Sequence, residues 1–323
     1  MTLGIERIAG HLPARFITAA ELEGQFGFDA GFIPEKLGVG RVFAARDDEH
    51  SSDLAVAAIA KLCDGLPGLR DRIDTLVVCT QTPDYQLPQV SALVQDRAGL
   101  RQDVAAFDIS LGCSGFVYGL SILEGFMTRN GLAAGVLVTA ETYSKITGPG
   151  DRTTRCLFSD AAAATLVTAG GALQAGRYTF GTNGSKFDSL ICRSGGSGDD
   201  GERRPRLSMD GRSIYEFAME TVPQDVARCL AANGIGLQDV DLFVFHQASG
   251  FLVDAIARRL GLAGDPRIVK TLGDHGNAVS SSIPLALARY LGPDSSQYRR
   301  ILISGFGVGL SWASTVLTRK DAR

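Results

Sequence analysis

The stretch FDISLGCSGFVYGL, residues 107–120, changes character around a cysteine. Its first part is an apolar run that predicts a buried strand, and the part after Gly115 has the spacing of a helix. Cys113 lies at the junction, flanked by Gly112 and Gly115. A thiol at the start of a helix lies near free backbone N–H groups and the positive end of the helix dipole. Because both favour the thiolate, the reactive form, we expect Cys113 to have a lowered pKa and to act as a nucleophile.

Short apolar runs alternate with helical patterns along the rest of the chain. Strands are predicted at 73–80, 104–109, 135–140, 241–246 and 301–306, and helices at 52–63, 114–127, 213–234 (disturbed at Pro223), 252–261 and 282–292. Strands that lack polar alternation are typical of sheets covered on both faces, which predicts an α/β fold. A weak similarity between IDTLVVCTQ (73–81) and VDLFVFHQ (240–247) does not prove a duplication but is compatible with two related halves, residues 1–172 and 173–323.

Composition excludes several classes of protein. The chain has 323 residues, 45% of them hydrophobic and 21% charged, with a net charge of −3. We therefore expect neither nucleic acid nor an anionic membrane as a partner. No apolar stretch reaches the roughly 20 residues that a bilayer crossing needs, and Glu6 and Arg7 interrupt any signal-like segment. These features predict a cytoplasmic protein.

Cysteine spacing argues against a metal site. The chain has six cysteines with no C-x-x-C pair, so we expect free thiols and no zinc. The glycine-rich, charged segment 194–206 has no strand leading into it and no helix after it, so we expect an exposed loop there rather than a phosphate-binding loop.

Three further stretches place polar groups at the ends of predicted elements. FVFHQAS (243–249) has His246 directly after a strand, and GDHGNAVSSSIPLAL (273–287) has Asn277 between a glycine-rich turn and a helix. ISGFGVGLSW (303–312) is a strand followed by a glycine-spaced loop, which suits the donation of backbone N–H groups to an oxyanion. Each stretch alone is compatible with an ordinary cap or turn. Together with Cys113 they predict an active site, because such sites are built where the ends of elements converge.

The motifs DISLGCSGFVYGL, HQAS, GNAVSSSIPLAL and GFGVGLSWAS resemble the β-ketoacyl-acyl-carrier-protein synthase III family of the thiolase superfamily. The resemblance covers nearly the full length, including MDGRSIYEFAMETVP, and keeps the order Cys113, His246, Asn277. It implies a thiolase fold with two similar α/β halves in a layered αβαβα arrangement, and a homodimer. It also implies an acyltransferase without a metal or redox cofactor, in which coenzyme A enters as a thioester substrate.

The family's reaction suggests a role for each of these residues. Cys113 would take an acyl group from an acyl-CoA or another acyl carrier, while the backbone N–H groups of Cys113 and Val308 hold the oxyanion. His246 and Asn277 would then stabilise the enolate that forms when a malonyl thioester, carried by acyl carrier protein or coenzyme A, loses carbon dioxide. The resemblance therefore implies a 3-oxoacyl thioester as the product.

Four more positions match the family's binding sites. Arg152 and Phe32 match residues that bind the adenine of coenzyme A, and Leu87 and Phe306 match residues of the acyl pocket. Leu87 corresponds to the position that reaches across the dimer into the partner's pocket. A solvated loop residue is the alternative for Arg152, and plain core packing is the alternative for Phe32 and Leu87.

The sequence also departs from the family. Gly250 and Phe251 follow HQAS where the fatty-acid-initiating enzymes carry an arginine that helps to dock the acidic carrier protein. Arg258 and Arg259 lie further along the same predicted helix as possible substitutes. The segment FSDAAAA (158–164) is less glycine-rich than the family's version. These differences indicate a specialised relative, and they leave its carrier partner and its acyl substrate open while the cysteine–histidine–asparagine chemistry is unaffected.

Two alternatives remain open at this point. In the first, the acyl group passes from Cys113 to a hydroxyl or amine of a specialised metabolite or sugar without decarboxylation, with His246 as general base. Asn277 argues mildly against this transfer, because an enolate needs two donors and a base needs none. In the second, the chain is an inert subunit of a heterodimer, although such a chain has no need of the three polar residues.

Overall fold

The computed structural model describes residues 2–193, 196, 198 and 207–320. The predicted loop 194–206 therefore lies outside the described residues, apart from two glycines. Strands are β1 (Gly4–His11), β2 (Phe16–Thr18), β3 (Arg41–Phe43), β4 (Thr75–Cys79), β5 (Ala105–Ile109), β6 (Ala134–Glu141), β7 (Ala161–Thr168), β8 (Leu173–Ala175), β9 (Thr179–Thr182), β10 (Leu190–Cys192), β11 (Leu207–Met209), β12 (Leu242–Phe245), β13 (Arg300–Gly307) and β14 (Ser311–Arg319).

Ten α-helices connect these strands in the described part of the chain. They are α1 (Ala19–Phe26), α2 (Ser51–Cys63), α3 (Leu69–Arg72), α4 (Val90–Arg97), α5 (Gly115–Asn130), α6 (Arg152–Arg155), α7 (Gly211–Ala232), α8 (Gly250–Arg259), α9 (Leu272–His275) and α10 (Ser282–Ala288). A π-helical turn covers Ile33–Leu37, and a 3₁₀ turn at Val279–Ser281 precedes α10. None of the helices within these described ranges combines the length and apolarity that a membrane span requires.

The strands of the main sheet repeat one order twice. On one side the order is β1-β7-β6-β4-β5, and on the other it is β8-β14-β13-β12, with β9 also paired to β14. In each half a parallel pair (β4 with β6, β12 with β13) is followed by an antiparallel one (β6 with β7, β13 with β14). The halves join where Ile5 of β1 pairs with Leu173 of β8. The boundary between residues 172 and 173 stays a prediction.

The continuous apolar strands are explained by cover on both faces. Successive strand residues point to opposite faces, so in β4 Val77 packs in the central core that includes α5, while Leu76 and Val78 pack against α2 and α4. Helices α7 and α8 cover the outer face of the second half. The layers are therefore helix, sheet, helix, sheet and helix. The predicted α/β thiolase fold with a layered αβαβα arrangement is confirmed.

Several helix boundaries differ from prediction for local reasons. Helix α8 begins at Gly250 because the Ser249 side chain accepts a hydrogen bond from the backbone N–H of Leu252 and caps it. Helix α7 passes through Pro223 without a break, so the predicted disturbance there is wrong. The helix predicted to end at residue 292 ends at Ala288.

Candidate active site

Cys113 lies in the tight turn between β5 and α5. The N–H of Gly115 donates to the carbonyl of Gly112 at 2.8 Å, and α5 starts two residues after the cysteine. Strand β13 passes directly over this turn. A Cβ added to Gly307 would lie 2.9 Å from the Cβ and 3.0 Å from the Sγ of Cys113, and one on Gly305 would lie 2.7 Å from its carbonyl oxygen. The glycines of β13 thus let one half of the molecule pack onto the nucleophile of the other.

His246 is placed by the end of β12. Its backbone N–H donates to the carbonyl of Ser304 in β13 at 2.8 Å, which extends the strand pairing by one residue. The imidazole is buried, and the ring of Phe306 meets it edge-on with centroids 5.7 Å apart. Its Nδ1 has no hydrogen-bond partner among the described residues. Packing against an aromatic ring and a hydrogen bond with the backbone of Val279 therefore orient this histidine, with no carboxylate bonded to Nδ1.

Asn277 is held by its own chain. Its Oδ1 accepts a hydrogen bond from the N–H of Val279 at 2.9 Å, and its Nδ2 donates to the carbonyl of Ala248 at 3.2 Å. Val279 has φ 50°, in the left-handed region that a β-branched residue rarely adopts. Such strain costs about 1–3 kcal/mol and persists where surrounding contacts impose it. The strained residue supplies the N–H that orients the carboxamide, which leaves one N–H of Nδ2 for a ligand.

One cavity brings the predicted residues together. It has a volume of about 250 Å³. Cys113 and Phe306 lie on its wall together with His246 and Asn277, so residues from both halves of the chain meet there. The rest of the wall is largely apolar and includes Leu157, Phe158, Leu190, Met209, Ile214 and Leu252. A small, mainly apolar cavity with a thiol, an imidazole and a carboxamide is suited to an acyl group and a reacting thioester.

The prediction of a lowered pKa for Cys113 is wrong. Burial raises the pKa of the thiol to about 12, and the negative charge of Glu141 adds to this effect. The backbone N–H groups of Cys113 and Val308 act in the opposite direction and are too weak to compensate. The resting thiol is therefore protonated at neutral pH. Attack requires that the proton leave as the new bond forms.

Burial also keeps the imidazole of His246 uncharged at neutral pH. Burial lowers the pKa of its imidazole to about 3, and the backbone of Val279 opposes this shift only partly. A neutral imidazole has one N–H donor and one nitrogen with a free lone pair. It can accept the proton of a thiol or donate to a thioester oxygen, depending on which nitrogen carries the hydrogen.

Glu141 is a buried residue near the thiol that sequence reasoning missed. It ends β6 and accepts hydrogen bonds from the N–H of Gln81 (3.1 Å) and the hydroxyls of Thr82 (3.0 Å) and Ser280 (2.9 Å). Burial raises its pKa to about 8 although all three donors favour the charged form. An acidic residue at the end of an otherwise apolar strand is the signal that would have drawn attention to it.

Val308 lies in the turn between β13 and β14, which passes the thiol. Its backbone N–H is close enough to Cys113 to lower the pKa of the thiol, as an oxyanion donor would. The Ser311 hydroxyl donates to the Val308 carbonyl at 2.9 Å and also bonds Ser114 at 2.8 Å. The turn is thus tied to the start of α5. This geometry agrees with the predicted pair of backbone donors.

Arg152 and Phe32 lie outside the cavity, in a cluster that has a third member. Phe32 stacks on Phe28 with ring centroids 4.7 Å apart and planes within 4° of parallel. The Arg152 guanidinium carbon lies 5.7 Å from the centroid of Phe28. Phe28 was missed, because nothing in its local pattern separates it from a core residue. The cluster offers a flat aromatic face and a cation to a planar ligand.

Leu87 is 86% exposed, so the core-packing alternative for this residue is wrong. It does not line the cavity of its own chain. Tyr85 in the same loop is also exposed. Two large apolar side chains thus project from one surface loop. In the described part of the chain no group of three or more histidine, cysteine or acidic residues is arranged to hold a metal ion.

Comparisons with known proteins agree with this geometry. Models of the family described as 3-oxoacyl-[acyl-carrier-protein] synthase III match residues 107–184, and its C-terminal model matches residues 230–319. A β-ketoacyl-[acyl-carrier-protein] synthase III of Thiobacillus denitrificans is 34% identical over 311 residues, 95% of this chain and 96% of the relative. The corresponding synthase III 5 of Streptomyces coelicolor is 35% identical over 324 residues, 96% of this chain and 95% of the relative.

A crystal structure of a 3-oxoacyl-(acyl-carrier-protein) synthase III matches the fold with a TM-score of 0.92 and 34% identity, covering 98% of this chain and 100% of the other. The fold and the cysteine–histidine–asparagine cavity define a thiolase-fold acyltransferase. The chain belongs to the 3-oxoacyl-acyl-carrier-protein synthase III family, as its motifs predicted. The prediction of an enzyme that forms 3-oxoacyl thioesters is confirmed, and transfer to a hydroxyl or amine is not favoured.

Proposed function

We propose that Cys113, His246 and Asn277 carry out a decarboxylative condensation between an acyl-CoA and a malonyl thioester. The observation that carries this proposal is that these three side chains line one apolar cavity. In the first step the Cys113 sulfur bonds to the acyl carbon and the bond from that carbon to the coenzyme A sulfur breaks. The thiol proton passes to the departing sulfur, so that free coenzyme A leaves. The backbone N–H groups of Cys113 and Val308 hold the oxyanion between these events.

The second step forms the carbon–carbon bond. The malonyl carboxylate leaves as carbon dioxide, and its bonding electrons form an enolate on the thioester. The imidazole N–H of His246 and the second Nδ2 hydrogen of Asn277 donate to the enolate oxygen. The enolate carbon then attacks the acyl carbon, the bond to the Cys113 sulfur breaks, and the thiolate takes up a proton. These steps need no cofactor, because coenzyme A enters as a substrate.

The binding of coenzyme A is assigned to the aromatic cluster beside the cavity. Phe28, Phe32 and Arg152 present stacked rings and a guanidinium, a combination that suits the planar adenine ring. The ring of Phe28 lies under the Arg152 guanidinium. Phe32, at the position that matches the family's adenine-binding residue, stacks on Phe28. The site thus tolerates phenylalanine at position 32 through a second ring.

The malonyl carrier is proposed to approach past an aromatic pair. Phe251 is 59% exposed and stacks on Tyr215 with centroids 5.5 Å apart, and both residues line the cavity wall. Arg258 and Arg259 lie in the last turn of the same helix α8. An acidic acyl carrier protein would contact these two arginines. It would also make an apolar contact with Phe251, which lies where the fatty-acid-initiating enzymes carry an arginine. Malonyl-CoA is the alternative donor.

We also propose that the chain works as a homodimer in the cytoplasm. Edge strand β5 ends the main sheet, and all five of its residues are partly exposed although four are apolar. Phe107 of this strand packs on Phe126, and the exposed side chain of Ile122 adds to the same apolar region of α5. A second copy covering this face could place its Leu87 near the cavity. Six free thiols fit a reducing compartment.

A condensation assay tests this proposal. The protein is mixed with acetyl-CoA and malonyl-acyl carrier protein or malonyl-CoA, and carbon dioxide and the 3-oxoacyl product are measured together. We expect equal amounts of both, and loss of both in Cys113→Ala. A protein that forms the acyl-enzyme, releases no carbon dioxide with either malonyl donor, and passes its acyl group to an added alcohol or amine would contradict the condensation.

A further inference from the structure

We infer that Glu141 is a positioning residue that joins the nucleophile turn (residues 112–115) to the Asn277 segment (residues 277–280), and that it supports acylation only in its uncharged form. This inference rests on the proposed acyl transfer to Cys113 and adds control of that transfer by pH. Glu141 ends β6, and its side chain is completely buried. The proposed reaction steps give this acid no role, although an acid is costly to bury.

The carboxyl group of Glu141 connects two distant segments of the chain. Its Oε2 accepts hydrogen bonds from the N–H of Gln81 at 3.1 Å and from the hydroxyl of Thr82 at 3.0 Å, in the loop after β4. Its Oε1 accepts a hydrogen bond from the hydroxyl of Ser280 at 2.9 Å. Ser280 directly follows the residue whose N–H orients the Asn277 carboxamide. One acid therefore links the loop after β4 to the segment that carries an enolate donor.

Two partners of Glu141 pack against the two ends of the nucleophile turn. A Cβ added to Gly112 would lie 2.4 Å from Oε1 of Gln81, and a Cβ added to Gly115 would lie 3.7 Å from the Cβ of Ser280. These are the two glycines that flank the catalytic cysteine. Because Glu141 bonds both partners, a shift of its side chain would also move the turn and the sulfur. A displacement near 1 Å at a reacting group costs about 100-fold in rate.

The surroundings of Glu141 disfavour a negative charge on it. Burial raises the pKa of its carboxyl group to about 8, although its three hydrogen-bond donors favour the charged form. The titratable groups that face it are the thiols of Cys79 and Cys113, the phenol of Tyr143 and the carboxyl group of Asp160. Each of these groups is neutral or negative, so none of them compensates a charge on Glu141. The uncharged acid can donate its proton to a hydroxyl partner, because a hydroxyl accepts as well as donates.

The charge of Glu141 acts on the first step of the reaction. Negative charge develops on the Cys113 sulfur as the thiol gives up its proton, and a negative charge on Glu141 raises the pKa of that thiol. The uncharged acid removes this repulsion and keeps its hydrogen bonds. As the pH rises through 8, Glu141 ionises, and acylation becomes slower than it would be beside an uncharged group.

The test measures the rate of Cys113 acylation by acetyl-CoA between pH 7 and pH 9, in the wild-type protein and in Glu141→Gln. Glutamine can contact all three partners but does not ionise. The ratio of the two rates cancels the titration of the thiol, which both proteins share. Glu124→Gln is the matched control, because burial also raises the pKa of Glu124, to about 7, and this residue does not line the catalytic cavity. Thermal melts show which variants fold.

We expect the rate of Glu141→Gln relative to wild type to rise about tenfold from pH 7 to pH 9, because a group that titrates near pH 8 goes from about 90% to about 10% uncharged. The same ratio for Glu124→Gln should stay constant. Ser280→Ala removes a donor that favours the charged form of Glu141, so its pH-dependent decline relative to Glu141→Gln should begin at a higher pH than in wild type. A loss of packing alone would not cause that shift. At pH 7, Glu141→Ala should be acylated at least about tenfold more slowly than Glu141→Gln.

Three results would overturn the inference while the proposed function stands. The first is a rate of Glu141→Gln relative to wild type that is constant or falls as the pH rises, or that rises equally in Glu124→Gln. The second is a folded Glu141→Ala protein that is acylated as fast as Glu141→Gln. The third is a Ser280→Ala protein with the same pH profile as wild type, which decides the question if Glu141→Gln does not fold. A wild-type protein that acetyl-CoA does not acylate at any of these pH values would instead refute the proposed function, and the inference with it.

Discussion

Replacing Gly307 by alanine tests the packing of β13 over the nucleophile. The added Cβ would lie 2.9 Å from the Cβ and 3.0 Å from the Sγ of Cys113. Carbon atoms pack at about 3.5–4.0 Å, so strand β13 and the turn that holds Cys113 must separate by about 0.6–1.1 Å. Overpacking of this kind costs about 1–3 kcal/mol of stability. A displacement near 1 Å at a reacting group costs about 100-fold in rate.

The assay is the rate of Cys113 acylation by acetyl-CoA, together with the melting temperature. We expect Gly307→Ala to be acylated about 100-fold more slowly and to melt a few degrees lower, at about 2–4 °C per kcal/mol. Gly24→Ala in α1 is the control, because a Cβ there meets no atom within 4 Å; it should keep the wild-type rate and melt slightly higher. A Gly307→Ala protein with the wild-type rate would refute the assigned contact.

Three further predictions concern His246 and the coenzyme A site. His246→Ala should lower carbon dioxide release about 100- to 1,000-fold as an oxyanion donor is lost, while acylation of Cys113 persists; equal release from the variant would contradict the role. Because burial lowers the pKa of His246 from 6.5 to about 3, the folded state binds fewer protons than the unfolded one between these values, and stability falls as the pH drops below 6.5. At pH 5 this destabilisation amounts to about 2 kcal/mol. Between pH 7 and pH 5 the free energy of unfolding in urea should therefore fall by about 2 kcal/mol more in the wild-type protein than in His246→Asn. Equal decreases in the two proteins would argue against a buried neutral imidazole. Phe28→Ala should weaken coenzyme A binding about fivefold by calorimetry, since the contact with Arg152 is partly exposed; unchanged affinity would place the adenine elsewhere.

The positions of the polar site residues could be predicted because each follows a recognisable pattern. His246 comes directly after an apolar strand, Cys113 lies in the short turn between a strand and a helix, and Asn277 comes just before a helical segment. The ends of such elements in an α/β fold converge, so linear spacing was enough to indicate a shared site. The layered fold followed from strands without polar alternation, because both of their faces are covered.

The ionisation of the site could not be predicted in the same way. Proximity to a helix start favours the thiolate, but the cost of burial depends on what covers the sulfur, and Gly305 and Gly307 bring β13 over it from the other half of the chain. This contact joins residues almost 200 positions apart. The same holds for Glu141, which is buried among donors from two distant segments, Gln81 with Thr82 in one and Ser280 in the other.

The aromatic cluster shows a second limit. Phe32 was expected from its matched position, whereas Phe28 has no motif of its own and emerges from the turn after α1, which brings it under Arg152. Partner contacts such as those of Leu87 depend on a second chain. Neither kind of contact leaves a periodic signal in one sequence.

The most direct test of the central claim is to find where the acyl group attaches. The protein is incubated with acetyl-CoA without a malonyl donor, and its intact mass and peptides are analysed. The proposed chemistry predicts one acetyl adduct, located on Cys113 and removed by adding the malonyl thioester, with none in Cys113→Ala. An adduct on another cysteine, or an adduct that survives in Cys113→Ala, would contradict it.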